Sequence, residues 1–230
     1  MDKIDKMYYI NLNRRPDRNE HFLNECNKAN IPKDKIARFE ALDGTTYQFN
    51  ENETNLFNRV DFKGAPYEKK IMGNQMSHFY ILKEMIEKNY EYIIIFQDDV
   101  IFRNNFLDYL TKVMDSIPDN AEIINIGIQA ESCYSHFVSW DFIKDNDILD
   151  KLGTKYNDNI CILNYGAQTC SLSYIVTKQG AKNLVEYFEK IGFLRSTDHN
   201  FNDYLNKQNI FYGSSTVLCT GNAQLGTDIW

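Results

Sequence analysis

A chain of 230 residues is within what one α/β unit can fill, and 43% hydrophobic residues, with 15 Phe and 15 Tyr, supply a real core and exclude a disordered chain. With 25 Lys+Arg against 32 Asp+Glu the net charge is -7, which argues against a general polyanion binder and makes nucleic acid an unexpected partner. The longest uninterrupted apolar run is Tyr92–Phe96, far short of the ~18 residues of a membrane span, so no span is expected.

The charged segment Met1–Lys6 leads straight into a strand-like run rather than an apolar signal segment, so the cytosol is the expected compartment. Met7–Ile10 reads as a buried strand whose end opens into the polar Asn11-Leu12-Asn13-Arg14-Arg15. Pro16 suits the first position of a helix, with Asp17 and Glu20 favoured in its first turn, and Phe22, Leu23, Cys26 and Ala29 continue it at helical spacing. Ile36–Ala41 predicts a second strand, stopped by the turn pair Asp43-Gly44. Thr45 to Lys70 shows little periodicity. Asn74 to Asn89 predicts a helix with Met76, Phe79, Leu82 and Ile86 on one stripe, and the apolar Tyr92–Phe96 predicts a central parallel strand covered on both faces.

Phe106, Leu110, Val113 and Ile117 predict the next helix, Glu122–Ile128 a strand, and the aperiodic Glu131–Asn159 a long functional loop or lid. Cys170–Val176 reads as a strand, Ala181, Leu184, Val185 and Phe188 as a helix, Asp198–Lys207 as a short helix and Ile210–Leu218 as a last strand. This alternation predicts a single α/β domain over 1–230, an open, mostly parallel twisted sheet flanked by helices. The cysteines Cys26, Cys133, Cys161, Cys170 and Cys219 are scattered without a C-x-x-C pair and read as free thiols.

Ligands in open α/β sheets bind beyond the carboxyl ends of the strands, and three polar clusters fall there. Gln97-Asp98-Asp99 follows the most hydrophobic strand; adjacent carboxylates repel and resist burial, which a divalent cation relieves, although a plain turn is the competing reading. Arg14, Arg15 and Arg18 flank a helix start, as a pyrophosphate site requires, or else form a solvated face. Gly73-Asn74-Gln75-Met76-Ser77-His78 opens the helix before the acidic strand, where a histidine is commonly structural. No Walker loop, G-x-G-x-x-G, H-E-x-x-H or G-x-S-x-G occurs, which removes most ATPases, dehydrogenases, zinc proteases and α/β hydrolases.

In their order these stretches resemble glycosyltransferase family 25, which includes bacterial lipooligosaccharide galactosyltransferases and collagen hydroxylysine glycosyltransferases. The resemblance rests on YYINLNRRPDRNEHF (Tyr8–Phe22), RFEALDG (Arg38–Gly44), GNQMSHFYILKEM (Gly73–Met85), YIIIFQDDV (Tyr92–Val100), SYIVTKQGAKNL (Ser173–Leu184), STDHNF (Ser196–Phe201) and AQLGTDI (Ala223–Ile229), and spans nearly the whole chain. It implies a GT-A type nucleotide-sugar fold and a Mn²⁺- or Mg²⁺-dependent, inverting transfer of galactose or glucose. The donor would be UDP-galactose or UDP-glucose, and the acceptor a hydroxyl of a glycan or of collagen-type hydroxylysine.

Carried onto this chain, the resemblance places the metal on Asp99, with Asp228 closing over the donor or completing the metal shell. It gives Gln97 and Asp98 to ribose or sugar, Arg14 and Arg18 to the departing diphosphate, and Asn11, Asp43 and Gly44 to uridine and ribose. Ser77 and His78 complete the expected donor set. Asp198 is the expected base, with helix N-cap as its competing role, and His199 and Asp203 stand behind it. The family usually has Glu-Asp-Asp where this chain has Gln97-Asp98-Asp99, which keeps a nucleotide-sugar-binding pseudoenzyme open. A sugar nucleotidyltransferase is a further alternative, though Leu12–Pro16 lacks the glycines of its phosphate loop.

Overall fold

The computed structural model describes residues 1–128, 153–165 and 171–228. Its first strand, β1 (Lys6–Asn11), is buried from Met7 onward. Helix α1 (Pro16–Lys28) starts on Pro16 with Asp17 in its first turn, and lays Phe22 on β1, where the rings of Tyr9 and Phe22 stack at 4.2 Å. β2 (Ile36–Glu40) and β3 (Tyr92–Gln97) pair with β1 on either side, both parallel. In that register Ile10 lies between Phe39 and Gln97, so the carboxyl ends of three strands open at one edge of the sheet.

Helix α3 (Glu68–Glu87) begins six residues before the expected Asn74, and the short α2 (Glu51–Leu56) falls in the stretch without periodicity. The cue for α2 is local: Asn50 and Glu53 form a reciprocal capping box. Gly73 is a mid-helix residue here. A Cβ on it would stand 2.2 Å from the Leu42 carbonyl oxygen, and a Cβ on Gly44 would stand 1.6 Å from that of Lys69. The two glycines thus let the 41–44 loop lie against the first turns of α3.

The expectation of a mostly parallel sheet is corrected. Among the described residues the large sheet runs β2-β1-β3-β9-β5-β10-β8-β7. β9 (Ser173–Thr177) is antiparallel to both β3 and β5 (Ile123–Asn125), while β10 (Phe211–Ser214) is parallel to β5. β8 (Ile160–Leu163) and β7 (Gly153–Lys155) add an antiparallel edge. β3 and β9 are both buried runs, and burial on two faces states that a strand is central without stating its direction.

The expected strand Glu122–Ile128 divides into β5 and β6 (Gly127–Ile128), because the Asn125 side chain accepts from Gly127 N at 2.9 Å, a local turn that competes with the ladder. Ile210–Leu218 likewise ends at Ser214, and the chain resumes as β11 (Cys219–Gly221). β4 (Val100–Phe102), β11 and β6 make a second sheet of three strands in the order β4-β11-β6. α4 (Phe106–Asp115), α5 (Lys178–Ile191) and α6 (Thr197–Leu205) complete the helices that position the cleft. α5 buries Ala181, Leu184, Val185 and Phe188, as their spacing predicts. Of the expected loop Glu131–Asn159, residues 131–152 lie outside the described residues, as do Cys133 and Cys170. Cys26, Cys161 and Cys219 are buried, and no disulfide joins them among the described residues. Among the described residues no helix is long and apolar enough to cross a membrane.

Candidate functional site

A cleft of about 580 Å³ opens where β1 and β3 end, walled by the 41–44 loop, α3, the start of α6 and the segment 223–228. Its floor is ionic. Asp98, directly after β3, is buried and accepts from Asn11 Nδ2 at 2.7 Å and from Arg18 Nη1 at 2.8 Å, so both its oxygens are committed. Asn11 is itself held by Arg38 Nε at 2.9 Å. Arg18, on the first turn of α1, also donates to Asp99 Oδ2 at 3.2 Å and to the Gly226 carbonyl. Burial pushes both the Asp98 and Asp99 carboxyls above the usual carboxylate range, with Arg18 pulling the other way.

Arg14 Nε donates to Asp43 Oδ2 at 2.7 Å, and Arg14 and Arg15 both donate to Asp228. Burial works to raise Asp43 and Asp228, but the hydrogen bonds and charges of their partners prevail and hold both carboxyls below their ordinary values. Three guanidinium groups, Arg14, Arg15 and Arg18, therefore spend their bonds on Asp17, Asp43, Asp98, Asp99 and Asp228. Most of this positive charge is paired, so a cation brought with an anionic ligand would add to what Lys70 on the cleft lining and Arg18, whose Nε is buried without a partner among the described residues, present.

Among the described residues no group of three or more His, Cys, Asp or Glu side chains is arranged to hold a metal ion. Two atoms of the floor are buried without a hydrogen-bond partner among the described residues, Arg18 Nε and Asp99 Oδ1, and the second is a carboxylate oxygen. A single free carboxylate oxygen fits a hard cation of the Mg²⁺ type, which keeps waters and takes its remaining ligands from substrate phosphates, and does not form an all-protein cage. Asp228, expected to share the metal, has its two oxygens on Arg14 and Arg15.

Gln97 lines the cleft beside Asn74, with its Nε2 3.0 Å from His78 Nε2, and His78 Nδ1 is 2.6 Å from the Tyr174 hydroxyl. Burial pushes the His78 imidazole down to about 3, against the nearby Asp198 charge, and keeps it neutral. Ser77 and His78 are thus brought to the site's back and do not line the cleft. Ser77 Oγ donates to the Gly73 carbonyl at 2.7 Å and accepts from Leu42 N at 2.9 Å, which fastens the 41–44 loop to α3.

On the same cleft, α6 begins with Ser196 at its N-cap position, so the capping role weighed for Asp198 is corrected: Asp198 is the second helical residue. Ser196 Oγ donates to Asp198 Oδ1 at 2.7 Å, and His199 Nδ1 lies 2.9 Å from Ser196 Oγ and 3.2 Å from Asp198 Oδ1. The hydrogen bond with Asp198 raises His199 above its usual value. All three line the cleft. Asp203 does not; it accepts from the Tyr165 hydroxyl at 2.6 Å and pairs with Arg195 at 3.7 Å. Asn11 supports the floor through Asp98, while Arg14, Arg18, Asp43, Gly44, Gln97, Asp98, Asp99 and Asp228 face the cleft.

Sequence reading gave no role to Ser196, Tyr174 or the Arg15–Asp228 pair, and reached Asn74 only as part of the Gly73–His78 cluster. Ser196 was findable, since a serine just before an acidic first turn is a capping signal. Tyr174 carried no such signal, because an aromatic inside a strand reads as core.

The model of glycosyltransferase family 25, described as a lipopolysaccharide biosynthesis protein family, matches residues 4–201. A human protein named procollagen galactosyltransferase 2 is 29% identical over 127 residues, 52% of this chain and 19% of its own length. A glycosyltransferase 25 family member of Aedes aegypti is 25% identical over 192 residues, 80% of this chain and 28% of its own. A human protein named inactive glycosyltransferase 25 family member 3 is 27% identical over 122 residues, 50% of this chain and 20% of its own. The chain therefore matches less than a third of the length of these relatives.

Proposed function

The chain belongs to glycosyltransferase family 25, and from that premise we propose that its cleft is a GT-A type active site. It would bind a UDP-hexose, UDP-galactose or UDP-glucose, and transfer the sugar with inversion to an acceptor hydroxyl. The observation that carries the reading is the presence, in one cleft, of an anion-plus-cation floor around Asp99 and of a further carboxylate, Asp198, on the lining. The names of the relatives and of the family favour a collagen-type hydroxylysine or a bacterial glycan as acceptor.

Asp99, through its free Oδ1, would hold a Mn²⁺ or Mg²⁺ ion that arrives with the diphosphate. Such an ion, when bound, neutralises the charge developing on the departing diphosphate. Arg14 and Arg18 add fixed positive charge beside it, at no cost of reorganisation because Asp43, Asp98 and Asp228 already hold them in place. Asp43 and Gly44, on the loop fixed by α3, face the nucleoside half. Asp198 accepts the proton of the acceptor hydroxyl as its oxygen bonds to the anomeric carbon and the carbon–oxygen bond to UDP breaks. Ser196 and His199 grip only Asp198 Oδ1, and Oδ2 has no partner among the described residues.

A second reading, a nucleotide-sugar-binding protein without turnover, is favoured by one observation: Gln97 puts a neutral amide at the strand end where the family usually has a carboxylate. Incubation with a panel of UDP-sugars, with and without Mn²⁺ and with candidate acceptors, separates the two. Transfer predicts UDP release from one hexose donor that is faster with acceptor and depends on the ion. Donor binding without release under any of these conditions would establish the binding-protein reading instead.

A further inference from the structure

Segment 222–228 forms part of the cleft wall, and none of its residues is buried. Polar contacts hold it instead. Asn222 N donates to the Asp99 carbonyl at 2.7 Å, Arg15 Nη2 to the Leu225 carbonyl at 2.9 Å, and Arg18 Nη2 to that of Gly226. Arg14 donates to Asp228 Oδ1 and Arg15 to Oδ2, which also lies 3.9 Å from Arg18 Nε, beyond hydrogen-bond distance. A guanidinium only donates, and a carbonyl or carboxylate oxygen accepts, so the groups themselves fix the direction of each bond to the arginines. Gly226 turns the segment at a φ of 68°, and a Cβ there would meet nothing within 4 Å. A segment without buried side chains opens at low cost once its polar partners let go.

One carboxylate of the chain thus sits among three guanidinium groups, where a phosphate would present the same pair of acceptor oxygens. We propose that Asp228 occupies the position of a ligand phosphate between Arg14 and Arg15, and that a diphosphate enters by exchange with it, releasing segment 222–228. Arg14 keeps Asp43 and Arg18 keeps Asp98 through the exchange, so the cations stay in place while the anion between them changes. Because Asp228 is tethered, it competes at a high effective concentration; a diphosphate, with more charge than a carboxylate, displaces it. The proposal deepens the glycosyl-donor reading and rests on it for the class of ligand. It reverses the expectation that Asp228 closes over the donor or completes the metal shell, because removing its charge should then strengthen anion binding.

The test is calorimetry with inorganic pyrophosphate and with UDP, both without a divalent ion, on the parent, Asp228→Asn and Asp17→Asn. Asp17 is the control for lost negative charge: it also pairs with Arg15, but it is 53% exposed and outside the cleft lining. Asp228→Asn should bind both ligands about three- to tenfold tighter than the parent, and Asp17→Asn should stay within about twofold of it. Hydrogen exchange over 222–228 in the parent should speed up when pyrophosphate is added. Unchanged or weaker binding by Asp228→Asn overturns the proposal, and so does an equal gain in Asp17→Asn or slower exchange over 222–228. If UDP binds no tighter than pyrophosphate, the donor reading fails by itself and the pyrophosphate titrations still decide the exchange. If UDP binds the parent tightly with Mn²⁺ while Asp228→Asn gains nothing, the exchange fails and the donor reading stands.

Discussion

Along the floor of the cleft, charge is met by charge: Arg18 is divided between Asp98 and Asp99, and Arg14 and Arg15 close on Asp228. Along the side from His78 to His199 most polar groups are met by neutral partners, an amide on an imidazole, an imidazole by a phenol, a carboxylate by a serine hydroxyl, with the Asp198–His199 contact as the one charged pairing described there. The floor's positive charge is mostly paired, so a cation arriving with an anionic ligand would add to what Arg18 Nε and Lys70 leave available. The wall leaves one oxygen of Asp98's counterpart, Asp198, without a partner among the described residues, which is the state a base needs before it meets its substrate. The same residue type thus serves as a structural counter-ion on one side and as a chemical group on the other, and its partners decide which.

The sharpest way to break that contrast is Asp198→Asn. Asparagine keeps the acceptor for Ser196 Oγ but cannot take a proton, so transfer should fall by about 10²–10⁴-fold while UDP binding with Mn²⁺ and the melting temperature stay near the parent's. Transfer within a few-fold of the parent would place the base elsewhere, and His199 would be the next residue to examine.

On the floor the expected loss is in stability. Arg18→Ala leaves two buried carboxylates without their main partner and should cost about 3–5 kcal/mol in denaturant unfolding. Arg14→Ala removes a guanidinium whose side chain is 46% exposed, and should cost no more than about 1 kcal/mol. Equal costs for the two would show that the floor is not divided into a buried and a screened half.

A further effect, spread over several pH units, is in the pH dependence of the wall. His78 sits near 3 in the folded protein against an ordinary value of 6.5, so as pH falls from 6.5 toward 3 the unfolded chain takes up a proton that the folded one refuses. Stability drops with falling pH in that window, by up to about 1.4 kcal/mol per unit. His199 is shifted upward, so its contribution is complete below 6.5 and disappears as pH rises through its folded value. Urea titrations of the parent against His78→Gln and His199→Asn should give differences of opposite slope. Differences whose slopes with pH have the same sign would contradict the two assignments.

Much of this site could be read from sequence because it is local. The β1–α1 turn, the carboxylates after the most apolar strand, the Asp43-Gly44 turn and the Asp198 helix all carry their signals within a few residues. What could not be read is pairing at a distance. Arg14 meets Asp228 across 214 positions and His78 meets Tyr174 across 96, and neither residue's neighbours announce its partner. For the same reason Ser77 and His78 were expected in the cleft: helical spacing places them on a buried face but does not say whether strand or ligand covers it. The direction of β9 was hidden too, since its apolar run records burial alone.

The central claim is that the floor binds a nucleoside diphosphate through a cation held on the free oxygen of Asp99. Calorimetry of UDP with and without Mn²⁺, in the parent and in Asp99→Asn, tests it most directly. The account predicts tighter binding with the ion in the parent and the loss of that difference in the variant. Equal affinity in all four titrations would contradict it.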